Sequence, residues 1–240
     1  DVMTYFVIPS RRLRQPQGEA RPHPYWLGRG LVFLFNGASF VDHVSGLPAT
    51  NTGSVGRRVN VNGSVAADIS GTQYLSWAST DALNVTGTLS IVWRGVFDGT
   101  TGAYRNIVSK AQSNGTTNTP FESYIDSGTG KFAFIRAAAA GYRYWQADTT
   151  AASANVVSTL WFSSAATIET LPTIYVNATS QSVSGTQTGT GSAAASTTDL
   201  RIGRRVDNGT QFDGGVEFVA IFNQQLTADE YLRIYRNPYY

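Results

Sequence analysis

The sequence predicts an all-β fold: a two-sheet antiparallel β-sandwich of jelly-roll type, with one short C-terminal helix and an extended N-terminal arm. Three observations predict it. Short runs of alternating apolar and polar residues recur along most of the chain. They are separated by stretches rich in Gly, Ser and Thr, in a chain of 240 residues with 24 Gly and only 14% charged residues. One segment alone, after Leu226, carries residues that start and stop a helix. The length suits one large domain with a full core, and the expected division is an arm over 1–30 and a sandwich over 31–240.

The arm comes first. Residues 9–30, PSRRLRQPQGEARPHPYWLGRG, hold four prolines and show no periodicity. They read as extended chain with little structure of its own. Residues 1–29 carry a net charge of +3 from five arginines, while the rest of the chain is close to neutral. Such a body disfavours nucleic acid as a partner. Within the arm, Leu13, Tyr25 and Trp26 are apolar anchors among Arg11, Arg12, Arg14 and Arg21. Arginine forks suit protein interfaces, so these seven residues are the candidate docking set. No apolar run approaches the roughly 20 residues that cross a bilayer, so no membrane partner is expected. No secretory signal is visible, and an opening at Asp1 without methionine is what a processed or truncated product shows.

The body starts with LVFLFNG at Leu31, followed by a turn-rich stretch through Asn62. TQYLSWA and TLSIVWRGVFD read as strands, the second pointing Leu89, Ile91 and Trp93 to the core. RNIVSKAQ is another strand, and FESYIDSGTGKFAFIRAA is a hairpin across DSGTG. GYRYWQAD, VVSTLWFSSA and TIYVNATSQSV follow as strands. Residues 184–198 contain only small and polar types and read as a flexible loop or plain edge hairpin. LRIGRRV and GGVEFVAIF complete about eleven to thirteen strands. The expected buried set is Ile91, Trp93, Phe132, Phe134, Trp161, Phe162, Val216, Phe218 and Phe222, with a few expected to fail because alternation cannot put every pair on one face.

The helix segment has a physical grammar. Thr227 is placed to cap it, with Glu230 three residues on as the second half of a capping box. Asp229 suits the positive end of the helix dipole. Asn237-Pro238 stops it. Glu217 lies between apolar neighbours on a strand, where a carboxylate fixes a turn or an amide more often than it catalyses.

The ending as a whole resembles the concanavalin A-like lectin/glucanase superfamily in its laminin-G-like form. The residues that carry the resemblance are Leu200, Ile202 and Gly203, then Phe212, Gly214, Val216, Glu217 and Val219, then Leu226, Thr227 and Glu230. GTQYLSW, TLSIVWR, IVSK and IYVNA fall in the family's order upstream. One departure is Glu217-Phe218 in place of the family's Asp-Glu pair. The resemblance implies a concanavalin A-like jelly roll over about 31–236.

Chemistry is scarce. There are no cysteines, which excludes thiol catalysis, zinc thiolates and disulfides. The two histidines, His23 and His43, lack a Gly-x-Ser-x-Gly partner. The Glu-x-Asp-x-x-Glu strand of the family's glucanases is missing, so no enzyme is expected. No cofactor is required. Laminin-G-like domains often hold a calcium ion on the sandwich rim, so the resemblance makes Asp207, Asn208 and Asp213 candidate ligands; an Asp-Asn-Gly turn is the reading the residues themselves favour. Tyr74, Trp77, Tyr142, Tyr144 and Trp145 are candidate glycan-binding rings, with core positions as the alternative reading.

Two functions follow as expectations. The arm, the RGLVFLFNG opening and the YRNPYY ending look like the laminin-G-like domains of bacteriophage virion genes. That implies a non-catalytic structural protein on a virion surface, as capsid decoration, head fibre or tail-associated subunit. It would dock through its arm to capsid or other virion subunits, or to itself as a homo-oligomer. The alternative is a secreted or surface lectin that binds glycans extracellularly.

Overall fold

The computed structural model describes residues 22–99, 103–112, 118–139, 141–150, 156–186, 188–207 and 211–236. Of the candidate residues, Arg11, Arg12, Leu13, Arg14, Arg21 and Asn208 lie outside them, as does the expected helix stop at Asn237-Pro238.

In chain order the elements are α1 (Pro24–Gly28), β1 (Leu31–Asn36), β2 (Ser39–Asp42), β3 (Thr50–Thr52), β4 (Gly56–Val59), β5 (Val65–Ile69) and β6 (Tyr74–Trp77). After a 3-10 turn at Asp81–Leu83 come β7 (Leu89–Phe97), β8 (Arg105–Ser109), β9 (Thr119–Ile125), β10 (Lys131–Ala138), β11 (Gly141–Thr150) and β12 (Val157–Ser164). The chain then forms β13 (Thr173–Val176), β14 (Thr179–Ser180), β15 (Val183–Ser184), β16 (Leu200–Ile202), β17 (Gly214–Phe222) and α2 (Ala228–Arg236).

The strands build two antiparallel sheets that form a sandwich. The nine-stranded sheet runs β14-β13-β12-β7-β17-β1-β2, with β5 also paired to β17 and β4 to β5. The eight-stranded sheet runs β15-β11-β10-β9-β8-β16-β6-β3. Phe33, Phe35 and Trp93 from the first meet Trp77, Phe132 and Trp145 from the second in the main core.

All nine residues expected to be buried are buried. Alternation alone could not deliver that, because Trp161 and Phe162 point to opposite faces of β12. Phe162 stacks on Phe134 inside the sandwich at 4.1 Å. Trp161 stacks on Tyr231 of α2 at 5.0 Å. The outer face of the nine-stranded sheet therefore has its own core, where Leu31, Val92, Phe218 and Phe222 lie beneath Trp26 of α1 and Tyr231 and Ile234 of α2. A strand covered on both sides loses its polar alternation, and β17 is buried at all nine positions.

The structure departs from the sequence reading at three places. Residues 24–28 are a helix rather than extended arm: Pro24 sits in its first turn, and the His23 ring accepts a hydrogen bond from the Tyr25 amide. Trp26 is buried against this chain's own Phe222, with ring centroids 6.0 Å apart. The Tyr25 hydroxyl and the Arg29 guanidinium both donate to Glu230, at 2.9 Å and 3.0 Å. The sandwich layer thus begins before Leu31. Second, the stretch through Asn62 contributes β2, β3 and β4. Third, the run from Thr173 turns back on itself, because Asn177 and Ala178 take φ of 50° and 65°, the left-handed pair of a tight hairpin.

Two glycines of the ending are forced by geometry. A Cβ on Gly203, at φ 96°, would lie 2.8 Å from the Ile69 side chain. One on Gly214, at φ 150°, would lie 2.0 Å from the Val96 carbonyl oxygen.

Buried cations brace the sandwich. Arg136 is fully buried and donates to the carbonyls of Pro120, Ala165, Val85 and Gly87 and to the Ser164 hydroxyl. Burial pulls its pKa down to about 10, which leaves it charged at neutral pH. Lys110 donates to Ser79 Oγ and to the carbonyls of Ser196 and Thr198. Burial lowers its pKa to about 8, against a small upward pull from Asp199. The plain stretch 184–198 is thus tied down through its backbone.

Candidate functional site

The outer face of the eight-stranded sheet carries a cleft of about 370 Å³. Pairing and alternation explain which side chains reach it. Glu122 of β9 lies opposite Ile135 of β10, which lies opposite Tyr144 of β11. Tyr124 lies two residues along the same face of β9, and Tyr142 two residues before Tyr144. Tyr104, Asp126, Thr186 and Arg205 complete the lining.

The tyrosines form a connected wall. Tyr104 meets Tyr124 edge to face at 5.6 Å, and Tyr124 stacks with Tyr144 at 6.2 Å. Tyr104 is 46% exposed, so its ring is open to a ligand. Burial is the main force raising the pKa of both Tyr124 and Tyr144, with further upward pushes from neighbouring acids. Both phenols stay protonated in the physiological range and act as hydroxyls.

The polar floor is asymmetric. Glu122 is 1% exposed and its Oε1 accepts from Asn106 Nδ2 at 2.8 Å. Arg205 Nη1 lies 3.5 Å from the same oxygen. Oε2 has no protein partner. Burial pushes the Glu122 pKa up to about 7; Arg205 pulls it down and Asp207 pushes it up. Asp126 is different. Burial opposes its ionisation, but hydrogen bonds from the Thr129 amide and hydroxyl, from Tyr144 and from the Gly128 amide together hold it below the usual range. The Arg205 guanidinium is occupied: Nε donates to Asp207 Oδ1 at 2.9 Å and Nη2 pairs with Oδ2 at 2.8 Å. Burial would lower its pKa, yet the Asp207 and Glu122 carboxylates raise it.

Of the five candidate rings, only Tyr142 and Tyr144 lie in the cleft. Trp77 is a core residue packed on Phe33 and Phe35, its indole donating to the Leu47 carbonyl. Trp145 is fully buried beside Phe162. Both fall on the inward set of their strands, which the aromatic type itself does not reveal. Tyr74 lies beyond β16 on the same sheet, beneath the guanidinium groups of Arg201 and Arg204. The sequence reading missed Tyr104, Glu122, Tyr124, Asp126 and Arg205. The signal was present for three of them, since alternation in FESYID puts 122, 124 and 126 on one face.

Of the calcium candidates, Asn208 lies outside the described residues and Asp207 is paired with Arg205. Both carboxylate oxygens of Asp207 face Arg205, and among the described residues there is no group of three or more acidic or histidine side chains able to hold a metal ion. The acidic groups of the ending are structural. Glu230 and Thr227 complete the capping box in both directions. Glu217 is buried and accepts from the side chains of Asn60 and Asn62, with Arg94 Nε 3.0 Å away. Both asparagines stand in the turn between β4 and β5, so Glu217 fixes a turn as expected, through side chains rather than a backbone amide. A second cleft of about 520 Å³ lies near there, lined by Asn62, Arg94, Val157, Thr159, Asn177, Tyr235 and Arg236. It offers one aromatic ring against the four of the first.

Comparison with known proteins follows this geometry. No curated protein sequence matches the chain. Solved structures do. The binding domain of paraclostridial mosquitocidal protein 1 superposes with a TM-score of 0.62 at 11% identity, covering 86% of this chain and 52% of that one. Botulinum neurotoxin type C, whose cell entry depends on interaction with two ganglioside molecules, gives 0.61 at 11% identity, covering 89% and 52%. Trypanosoma rangeli sialidase gives 0.60 at 13% identity, covering 86% and 32%. The chain thus spans about half of the first two and a third of the third, and identities this low speak to fold alone. The family model of laminin-G type matches residues 69–230, the span from β5 through both sheets to the capping box of α2. With that match and the two-sheet sandwich in agreement, the chain belongs to the concanavalin A-like lectin/glucanase superfamily.

Proposed function

We propose that this domain is a non-catalytic carbohydrate-binding module whose ligand lies in the tyrosine cleft. The observation that carries the reading is the cleft's composition: four tyrosines around a buried carboxylate that keeps one oxygen without a protein partner. Sugars present flat C–H faces that pack on aromatic rings and hydroxyls that satisfy buried polar atoms. The fold neighbours support it, since they include a toxin with ganglioside-dependent entry and a sialidase. Those ligands and activities belong to those proteins.

Hydrolysis is not part of the reading, because the Glu-x-Asp-x-x-Glu strand of the family's glucanases is missing from the sequence. Binding through these residues needs no metal ion.

The virion-structural reading ranks second. Of its docking set in the 1–30 arm, Arg11, Arg12, Leu13, Arg14 and Arg21 lie outside the described residues, and Tyr25 and Trp26 are folded onto the chain's own sandwich. The deciding experiment is a glycan array followed by calorimetric titration, with and without chelator. Saccharide binding that Tyr144→Ala weakens about tenfold is the expected result. Binding untouched by that change, or release of reducing sugar from a bound glycan, overturns the proposal.

A further inference from the structure

The charge arrangement of the cleft selects among saccharides. We infer that the cleft takes an uncharged saccharide and rejects acidic ones, and that Glu122 Oε2 is the atom that reads the ligand by accepting a hydrogen bond from one of its hydroxyls. This rests on the carbohydrate reading above and narrows it.

Recognition of a sugar carboxylate needs a cation whose donors are free, ideally a guanidinium fork. Among the described residues the lining has one cation, Arg205. Three of its five donors are directed at protein carboxylates: Nε and Nη2 form a fork on the two oxygens of Asp207, and Nη1 faces Glu122. Arg205 therefore braces the floor. Asp126 and Asp207 stand in the same cleft region, joined by Glu122 once it is ionised above pH 7, so an incoming carboxylate meets more negative than positive charge. A carboxylate placed against Glu122 would also bring two acceptors together with no donor between them.

An uncharged sugar meets the opposite situation. The Glu122 side chain is buried and Oε2 lacks a partner. A buried acceptor left unsatisfied is costly, and a ligand hydroxyl arriving there removes the penalty. Asn106 fixes which oxygen is free, because its Nδ2 donates to Oε1. The rings supply the apolar half: Tyr104 is exposed, and Tyr124 and Tyr144 are stacked behind it.

The Asn106 bond also gives the substitution a defined outcome. In Glu122→Gln the amide oxygen must keep facing Asn106 Nδ2. The amide nitrogen then takes the place of Oε2, so an acceptor becomes a donor and a negative charge disappears. Affinity for uncharged saccharides should fall about tenfold, and that for acidic ones should rise.

The test is a glycan array holding uncharged glycans and their sialylated or uronate counterparts on matched backbones, with titration of the best pair into the wild type, Glu122→Gln and Tyr144→Ala. The expected result is wild-type binding to the uncharged member, at least tenfold weaker binding to the acidic one, and a narrowing of that ratio in Glu122→Gln. If the acidic member binds as well or better, and Tyr144→Ala weakens that binding, the charge selection is wrong while the cleft remains the site. If no saccharide binds, or Tyr144→Ala changes nothing, the carbohydrate reading fails and this inference fails with it. The wild-type comparison alone decides the charge question should Glu122→Gln not fold.

Discussion

Replacing Glu230 by Gln tests how the N-terminal helix is held. Glu230 receives the Arg29 guanidinium, the Tyr25 hydroxyl and the Thr227 amide, so one carboxylate joins α1 to the start of α2. Burial disfavours its charge, but the Arg29 hydrogen bond, then the Thr227 amide and Tyr25, hold its pKa down to about 2 from the usual 4.5. A depression of that size corresponds to about 3.4 kcal/mol of folding stability at neutral pH. The Arg29 side chain is 33% exposed, so solvent screening reduces the figure to roughly 2 kcal/mol. Because the folded pKa is the lower one, this stability is fully present above pH 4.5 and drains away as pH falls toward 2. For a chain of this length the loss at pH 7 lowers Tm by about 4–8 °C. Thermal unfolding of wild type and Glu230→Gln at pH 7 and pH 3.5 measures both effects. The gap should be clear at pH 7 and roughly two fifths smaller at pH 3.5. Equal stability at pH 7, or a gap that does not narrow in acid, refutes the reasoning.

Three further outcomes are expected. Tyr144→Ala should weaken saccharide binding about tenfold, the loss of one ring face, and leave Tm within a few degrees, read by titration and thermal melts. Arg136→Met should lower stability by about 4 kcal/mol in denaturant unfolding, because it strips donors from four carbonyls at once; a loss under about 1 kcal/mol would mean those carbonyls find other partners. Deleting residues 1–21 should leave Tm unchanged, whereas deleting 1–29 should lower it clearly through loss of the Trp26 contact and the Arg29 pair; equal Tm values for the two truncations would remove α1 from the folded unit.

The sandwich was legible because its signals are local. Alternation in TLSIVWRGVFD and the turn DSGTG each specify a strand or hairpin without reference to the rest of the chain. The capping box at Thr227 and Glu230 was legible for the same reason. What escaped depends on distant partners. Nothing near Trp26 says that Phe222 will bury it, and nothing near Arg29 says that Glu230 waits 201 residues away. The cleft escaped for a related reason: Glu122 and Tyr144 become neighbours only once β10 stands between their strands. The aromatic candidates divided by facing direction, with Trp145 inside and Tyr144 outside on consecutive residues of β11. Exposed rings and core rings share a composition, so only pairing tells them apart.

The placement of the two helices has a consequence for orientation. Both lie over the outer face of the nine-stranded sheet, and they carry the two ends of the described chain. The tyrosine cleft opens on the opposite side of the sandwich. A domain trimmed to residues 22–236 and anchored at either end, on a sensor chip or fused to a carrier, would point its recognition surface outward, away from the support.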